Sequence, residues 1–175
     1  MNKQLLSFDD FVVRTFELDE DNIDELTYVL NSAYKQLDEM GFRYLATHQD
    51  SSITRKRILG AHCLVGLKND EIISTITYSK PGNKKGSTWY ETEGVGAVEQ
   101  FGVLPSYQSI GLGAKMLSII ESMVKDEGVD ELALDTAEGA SHLRSFYTKR
   151  GYRMIEYVDW GVTNYRSVVM SKKLN

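Results

Sequence analysis

Apolar residues along this chain recur with two different periods, which divide it into strands and helices. Predicted strands are short runs rich in β-branched and aromatic residues, and they cover residues 11–18, 63–67, 71–79, 94–104, 131–135, 152–160 and 165–172. Predicted helices have an apolar residue every three to four positions, and they cover residues 23–40, 54–59, 111–125 and 141–150. The order β-α-α-β-β-β-α-β-α-β-β is that of a mixed α/β fold rather than a strict alternation of strands and helices.

Polar residues and glycines mark where several of these elements begin and end. Asp21 stands where the first helix needs an N-cap, and Gly41 stands where a residue free to adopt a left-handed conformation would end it. The three polar residues 68–70 separate two strand patterns, which is typical of a β-hairpin. Since no linker-like segment interrupts the chain, we expect one domain.

Composition limits the class of protein. The 175 residues carry a net charge of -5, with 42% hydrophobic and 26% charged residues, as expected for one soluble globular domain. An acidic balance argues against nucleic-acid binding through a basic surface and mildly favours a cationic small-molecule partner. The single cysteine, Cys63, cannot form an internal disulfide, and no signal-peptide pattern or membrane-length apolar run occurs. We therefore expect a cytoplasmic protein without membrane association.

The most informative segment, residues 98–114, runs from a strand through a turn into an amphipathic helix. Gly111 and Gly113 open this helix, where unpaired backbone N–H groups and the helix dipole favour an anion such as phosphate. The segment lacks the Gly-Lys-Ser/Thr of a P-loop. A dinucleotide fingerprint would need a third glycine where Met116 stands, although Asp135 could serve as its ribose-binding acid, so that alternative stays open.

Two motifs in this order resemble hallmarks of one enzyme family. The pattern Gln108-x-x-Gly111-x-Gly113, after a strand that ends at Pro105, resembles the coenzyme A signature of the GNAT acetyltransferase superfamily. The segment 146–152, Phe-Tyr-Thr-Lys-Arg-Gly-Tyr, resembles that superfamily's second hallmark. The resemblance implies a single GNAT-type domain over residues 1–175, with a central, mostly antiparallel mixed sheet and helices on both faces.

The resemblance also assigns residues to the cosubstrate acetyl-CoA. It implies that the pyrophosphate lies on the backbone of the glycine turn, at Gln108, Ser109, Ile110, Gly111, Leu112, Gly113 and Ala114. The pantetheine arm would lie along the preceding strand at Phe101, Gly102 and Val103. Where the family often has an asparagine before a later helix, this chain has Ser141, whose hydroxyl would have to replace that contact.

Catalytic roles follow from the same resemblance. Glu99 matches a general base in members similar to polyamine acetyltransferases, and Tyr147 matches the acid that protonates the departing thiolate. On a regular strand Glu99 would share a face with Ala97, Phe101 and Val103. We therefore expect N-acetyl transfer from acetyl-CoA to a primary amine by direct attack in a ternary complex. A non-catalytic acyl-CoA-binding module on the same fold is the alternative.

The acceptor side is less clearly encoded. The resemblance implies that the acceptor side includes Tyr34, Phe42, Arg43, Tyr44, His48 and the loop Trp89, Tyr90, Glu91, Thr92 and Glu93. Glu91, Glu93 and Glu99 would then form an acidic pocket with aromatic walls. The alternative is that these aromatic residues only cover edges of the core. The basic residues 55–57 and 84–85 are expected in solvent, and contact of one of them with the 3′-phosphate of the cofactor is the second possibility. The histidines and Cys63 show no metal-binding spacing, so we expect no metal. The C-terminal strands offer edges for a homodimer.

Overall fold

The computed structural model describes residues 4–175, and one mixed sheet runs through them. Eight strands form this sheet within the described residues: β1 (Gln4–Phe8), β2 (Phe11–Thr15), β3 (His62–Lys68), β4 (Glu71–Ser79), β5 (Val95–Val103), β6 (Glu131–Ala137), β7 (Arg153–Val158) and β8 (Ser167–Lys173). Their spatial order is β1-β2-β3-β4-β5-β6-β8-β7. The β5–β6 pair is parallel and the other neighbouring pairs are antiparallel, which confirms the predicted fold class.

Helices cover both faces of the sheet. They are α1 (Ile23–Glu39), α2 (Leu45–His48), α3 (Ser51–Ile58), α4 (Leu112–Asp126) and α5 (Ser141–Thr148), with a short 3₁₀ helix at Pro105–Tyr107. Apolar residues of α1 and α3 pack on one face, and those of α4 pack with Tyr147 of α5 in a second core. None of the helices within residues 4–175 combines the length and apolar character needed to cross a membrane.

The first helix begins one residue later than the cap pattern predicts. Asn22 is the N-cap, and its side-chain oxygen accepts a hydrogen bond from the Asp24 backbone N–H. Asp21 instead forms a two-pronged ion pair with Arg14 at 2.7 Å. An arginine fork binds a carboxylate more strongly than one backbone N–H does, so the prediction of Asp21 as the cap was wrong. Gly41 follows the helix with a φ of 93°, as predicted.

Other element boundaries differ modestly from the sequence pattern. The predicted strand at 11–18 ends at Thr15, and β1 pairs with it in a hairpin that the pattern did not predict. The predicted hairpin at 68–70 is confirmed: Asn69 and Asp70 both have positive φ, the conformation that tight two-residue turns require. The helix expected at 54–59 is longer and begins at Ser51.

The sheet splits between its two central strands. β5 and β6 pair only from Val95–Glu131 to Ala97–Ala133, although both strands continue beyond that point. Because no ladder hydrogen bonds close the gap, the two strands leave a cleft between them on the side where α1 and α5 approach. Both cavities described below open along this cleft.

A β-bulge at Gln100 divides β5 into two halves. Thr77 pairs with Glu99 and Thr75 with Gly102, so Gln100 and the residue after it face a single residue of β4. Gln100 has a φ of 47°, a left-handed conformation that is uncommon for a residue other than glycine. The extra residue reverses the alternation of side chains along the strand.

The bulge corrects one sequence-based expectation. Phe101 and Val103 pack against the α4 core together with Val98, whereas Ala97 belongs to a different core on the other side. The prediction that Glu99 shares a face with Phe101 and Val103 was therefore wrong, because it assumed a regular strand. Gly102 has a further role, since an added Cβ there would lie 2.8 Å from the Cβ of Ala33 in α1.

Candidate active site

Two cavities meet at the cleft between β5 and β6. The larger, of about 570 Å³, reaches the turn before α4 and is called the glycine-turn cavity. The smaller, of about 360 Å³, contains several ionisable side chains and is called the charged cavity. Five residues line both: Tyr34, Tyr44, Phe101, Asp135 and Tyr147. These five residues form a shared wall, so the two cavities lie side by side.

The glycine-turn cavity ends at an uncapped helix. Gly111 is the N-cap of the 15-residue helix α4, with a φ of 86°, and no described side chain caps the helix. The first backbone N–H groups of the helix are thus available to an anion, and the helix dipole favours negative charge there. The Gln108 side chain donates a hydrogen bond of 3.0 Å to the Val103 carbonyl, which fixes the turn against the end of β5. This arrangement fits a phosphate group.

Most of the residues assigned to acetyl-CoA line this cavity. Those that do are Phe101, Gly102, Val103, Gln108, Ser109, Gly111, Gly113, Ala114 and Tyr147. Ile110 is 57% exposed, Leu112 lies in the core and Ser141 is exposed at the start of α5, and none of these three belongs to the lining.

Helix α5 and the turn that follows it contribute residues to the glycine-turn cavity that sequence reasoning did not select. His142, Leu143 and Phe146 of α5 line it, as does Arg150 just after the helix. The Arg150 guanidinium lies 3.5 Å from the centre of the Phe146 ring and donates to the Phe146 carbonyl. The sequence shows the spacing of four residues between them, but their chemistry does not make that signal specific.

Glu99 lies in the charged cavity at the end of the regular half of β5. Its carboxylate accepts a 3.1 Å hydrogen bond from the Ser79 hydroxyl and lies 3.3 Å from the Lys84 ammonium. The Glu99 side chain keeps 25% of its surface exposed, so a ligand in the cavity can reach it. It is the one acidic member of the pocket predicted from sequence that lines a cavity, because Glu91 and Glu93 are exposed on the loop before β5.

Lys84 is enclosed by acids and aromatic rings instead of lying in solvent as expected. Its ammonium lies 2.9 Å from Asp135 and 4.3 Å from the centre of the Tyr90 ring, and its side chain is 15% exposed. Burial alone would lower the pKa of Lys84, but the carboxylates of Asp135 and Glu99 outweigh burial and raise it. Lys84 therefore stays charged at neutral pH. The chain brings it to these partners through a loop, and no local sequence signal marks it.

Asp135 connects the acids to the aromatic wall. Its carboxylate accepts hydrogen bonds from the Tyr90 hydroxyl at 2.8 Å and from the Trp160 indole N–H at 3.0 Å, besides its ion pair with Lys84. Burial alone would raise the pKa of Asp135, but Lys84 and these two donors hold it below its ordinary value of 3.8. Because these three donors occupy the carboxylate, Asp135 stabilises the site as a buried anion and is not assigned as the general base.

Tyr147 stands on the shared wall with its hydroxyl unused by the protein. Its ring packs edge-on against Phe146 and Tyr152, and it is 9% exposed. Among residues 4–175, none forms a hydrogen bond with the Tyr147 hydroxyl. Burial, with smaller contributions from Tyr34 and Tyr44, raises its pKa, so the phenol keeps its proton at neutral pH. A phenol in this state can donate a proton but cannot accept one.

Aromatic rings form the remaining wall of the charged cavity. Tyr44 packs against Tyr34 and Tyr165 with ring centres 5.2 and 4.7 Å apart. The Tyr44 hydroxyl is fixed by Thr136 and accepts a hydrogen bond from the Ala137 backbone, which ties the α1–α2 connection to β6. The rings leave an apolar surface beside the ionisable groups.

Comparison with known proteins identifies the family of the chain. The family model described as the acetyltransferase (GNAT) family matches residues 24–152, a range that contains the shared wall, the glycine-turn cavity and most of the charged cavity. Two relatives from Bacillus subtilis are similar over most of the chain. S-(2-succino)cysteine N-acetyltransferase is 29% identical, covering 90% of this chain and 92% of the relative. S-alkylcysteine N-acetyltransferase is 25% identical, covering 74% of this chain and 72% of the relative.

A solved structure shares the fold. An acetyltransferase from Streptococcus agalactiae superposes with a TM-score of 0.71 at 16% identity, over 95% of this chain and 99% of that one. The family match, the fold and the motif resemblance therefore agree. The chain belongs to the GNAT acetyltransferase family.

Proposed function

We propose that this enzyme transfers the acetyl group of acetyl-CoA to the α-amino group of an S-substituted cysteine. The observation that carries the proposal is the meeting of two cavities at Tyr147, one suited to an anionic cosubstrate and the other containing Glu99. Acetyl-CoA supplies the acetyl group as a thioester. The amine attacks it directly while both substrates are bound, so no acetylated side chain of the enzyme is needed.

Residues of the glycine-turn cavity would hold acetyl-CoA. The free N–H groups at the start of α4 suit the pyrophosphate, and the turn from Gln108 to Ala114 gives it access to the backbone. Phe101, Gly102 and Val103 line the path toward the shared wall. Gly102 leaves no side chain between this path and α1, where Ala33 is close.

Glu99 would act as the general base. A primary ammonium is protonated at neutral pH and has no free electron pair, so it must lose a proton before it attacks. Glu99 is the partly exposed carboxylate of the charged cavity, and Lys84 lies closer to Asp135 than to Glu99. Glu99 takes one proton from the ammonium, and the electron pair that this frees then attacks the acetyl carbon.

Tyr147 would act as the general acid. When the carbon–sulfur bond breaks, the electron pair stays on sulfur, and a proton from the phenol neutralises the thiolate. The second proton that the nitrogen loses as the amide forms restores the phenol. Burial raises the pKa of Tyr147, so the phenol is protonated at neutral pH, and its place on the shared wall brings it to the cosubstrate side of the site. The two proton transfers are thus assigned to two different residues.

Two observations favour an S-substituted cysteine as the acceptor. The two curated relatives are named for acetylating S-(2-succino)cysteine and S-alkylcysteine. The charged cavity joins an aromatic surface, suited to a thioether substituent, to the cations Arg57 and Lys85, suited to carboxylates. The acid surplus of the whole chain favours a cationic acceptor, but Lys84 offsets the acids of this cavity.

Thiol release from acetyl-CoA tests the proposal. The panel comprises S-methylcysteine, S-(2-succino)cysteine, free cysteine, a polyamine and a peptide with a free N-terminus, and mass spectrometry identifies each product. We expect the two S-substituted cysteines to give the highest kcat/KM and N-acetylated products. Coenzyme A binding without thiol release from any compound would contradict the proposal and favour a binding module, and faster turnover of the polyamine would overturn the acceptor class.

A further inference from the structure

A buried amide donor in the charged cavity lacks a partner. Gln100, the residue at the bulge, is 3% exposed and lines the cavity directly after Glu99 in the chain. No described residue accepts a hydrogen bond from its Nε2. A buried donor without an acceptor costs about 1–3 kcal/mol, so natural proteins seldom keep one without a reason.

The direction of this donor is fixed by a chain of hydrogen bonds that starts at Arg57. A guanidinium can only donate, so its 2.7 Å contact identifies the Gln49 atom it meets as the oxygen, Oε1. The Gln49 Nε2 must then be a donor, and it donates to the Gln100 Oε1 at 2.8 Å and to the Thr54 hydroxyl. The Gln100 oxygen is thus occupied, and its nitrogen is the atom left to bind a ligand.

Arg57 adds a positive charge to the same cavity. It lines the cavity from α3, and within residues 4–175 no carboxylate lies within 4 Å of its guanidinium. Its hydrogen bond with Gln49 uses a single Nη1 N–H and leaves the other guanidinium donors for a ligand. Gln49 is 2% exposed, so this connection between Arg57 and Gln100 is held inside the protein.

We propose that Gln100 and Arg57 bind the α-carboxylate of the acceptor, an inference that rests on the proposed function above. An α-amino acid carries its amine and its carboxylate on one carbon, and Gln100 lines the same cavity as the proposed base Glu99. A carboxylate held by Gln100 therefore leaves the amine beside Glu99. Gln49 acts as a positioning residue, because it orients both donors without touching the acceptor.

A pair of acceptors that differ only in this carboxylate tests the proposal. S-methylcysteine and 2-(methylthio)ethylamine share the thioether and the amine, and the methyl substituent adds no charge. The measured quantity is the ratio of their kcat/KM values by thiol release. We expect the wild type to prefer the amino acid by at least about 100-fold, in line with a lost charge-assisted hydrogen-bond pair.

Substitutions of Arg57 and Gln100 test whether these two residues cause the preference for the amino acid. R57Q and Q100E should each lower the ratio at least about tenfold, because one removes the charge and the other replaces the N–H donor with an oxygen. Activity toward 2-(methylthio)ethylamine should change less, and R57K should restore part of the ratio. R55Q removes the same charge from an exposed position of α3 and should keep the wild-type ratio.

Each outcome decides between the two proposals. Equal turnover of both compounds, or an unchanged ratio in both R57Q and Q100E, overturns the carboxylate site while acetylation of S-substituted cysteines stands. If only S-(2-succino)cysteine is acetylated, the enzyme recognises the carboxylates of the succinyl substituent. That result would overturn the assignment of Gln100 and Arg57 to the α-carboxylate. No turnover of any of the three compounds overturns both proposals.

Discussion

The two cavities of this enzyme are built by different means. The anion-binding end of the glycine-turn cavity is formed by backbone N–H groups of one continuous segment, from β5 through the turn into α4, with residues of α1 and α5 beside it. The charged cavity rests on side chains from separate parts of the chain, which are Arg57 of α3, Lys84 of a loop, Glu99 of β5, Asp135 of β6 and Trp160 beyond β7. Backbone recognition tolerates changes of side chain, whereas the charged cavity depends on each of its residues.

This difference indicates which cavity would determine specificity for the acceptor. A family that uses one cosubstrate for many acceptors can keep a local, backbone-based site and vary a dispersed, side-chain-based one. If this comparison is correct, substitutions in the charged cavity should change acceptor kinetics or stability without changing coenzyme A affinity. Substitutions in the turn should do the reverse.

The largest expected effect is on Glu99. E99Q should lower kcat/KM for the acceptor about 10³-fold at pH 7, because the amide cannot take the proton from the amine. Coenzyme A affinity, measured by calorimetry, should stay within about twofold. E93Q, at an exposed position of the neighbouring loop, serves as the control and should match wild type. Activity of E99Q within threefold of wild type across pH 6–9 would remove Glu99 as the base.

The next effect concerns Lys84. K84M should lower the free energy of unfolding by about 3 kcal/mol at pH 7, because it leaves the largely buried Asp135 without its counter-ion. Urea denaturation measures this loss. K85M, next to it and exposed, is the matched control and should lose less than about 0.5 kcal/mol. A loss of equal size in both variants would contradict the ion-pair network.

The Lys84 contribution has a defined pH window. The folded-state pKa of Asp135 lies below its ordinary value, so the unfolded chain binds a proton first as the pH falls. In wild type the Asp135 contribution to stability should therefore be fully present above about pH 4 and should shrink as the pH falls below it. At the other limit the pKa of Lys84 is raised above 10.5, so the Lys84 contribution persists through neutral pH and declines only in strong alkali.

Tyr147 should have a smaller effect on rate than Glu99. Y147F should lower kcat about 10²-fold, because the phenol no longer protonates the thiolate, while its ring keeps its packing. Burial raises the pKa of Tyr147, so the loss should stay constant between pH 6 and 9. Y157F changes an exposed tyrosine of β7 and should leave kcat unchanged. A pH-dependent loss, or none, would argue against the acid role.

The smallest effect tests the turn. G111A places a side chain at a φ of 86° with no heavy atom within 4 Å, so its cost is backbone strain of about 1 kcal/mol and not a clash. G41A, with a φ of 93° and equally open space, should lose the same stability. Only G111A should weaken coenzyme A binding, about tenfold by calorimetry. Equal coenzyme A affinities in the two variants would contradict the role of the turn.

This contrast also explains what could be predicted from the sequence. The glycine turn and α4 were predicted because Gly111, Gly113 and the apolar period lie within one short segment, whose physics is local. Gly41 and the hairpin turn at residues 69–70 were predicted for the same reason. The family followed from two motifs that are each continuous in the chain.

The charged cavity could not be predicted in the same way. Lys84 resembles any loop lysine until the fold brings it to Asp135, and the contact of Gln49 with Gln100 joins positions 51 residues apart in the chain. The wrong assignment of Glu99 to the face of Phe101 has the same cause. A bulge is set by pairing with β4, which lies more than 20 positions earlier, and a period-two pattern cannot show it.

The bulge at Gln100 has a consequence for how β5 can serve two substrates. The bulge adds one residue to β5 and reverses the alternation of its side chains. The residues before it and after it therefore pack in different surroundings. Under the proposed function, a substitution before Gln100 would act on the acceptor site and on the base Glu99, while the half after it keeps its packing against α4. One strand would thus serve both substrates, with the residues for the acceptor before and at Gln100 and those for the cosubstrate after it.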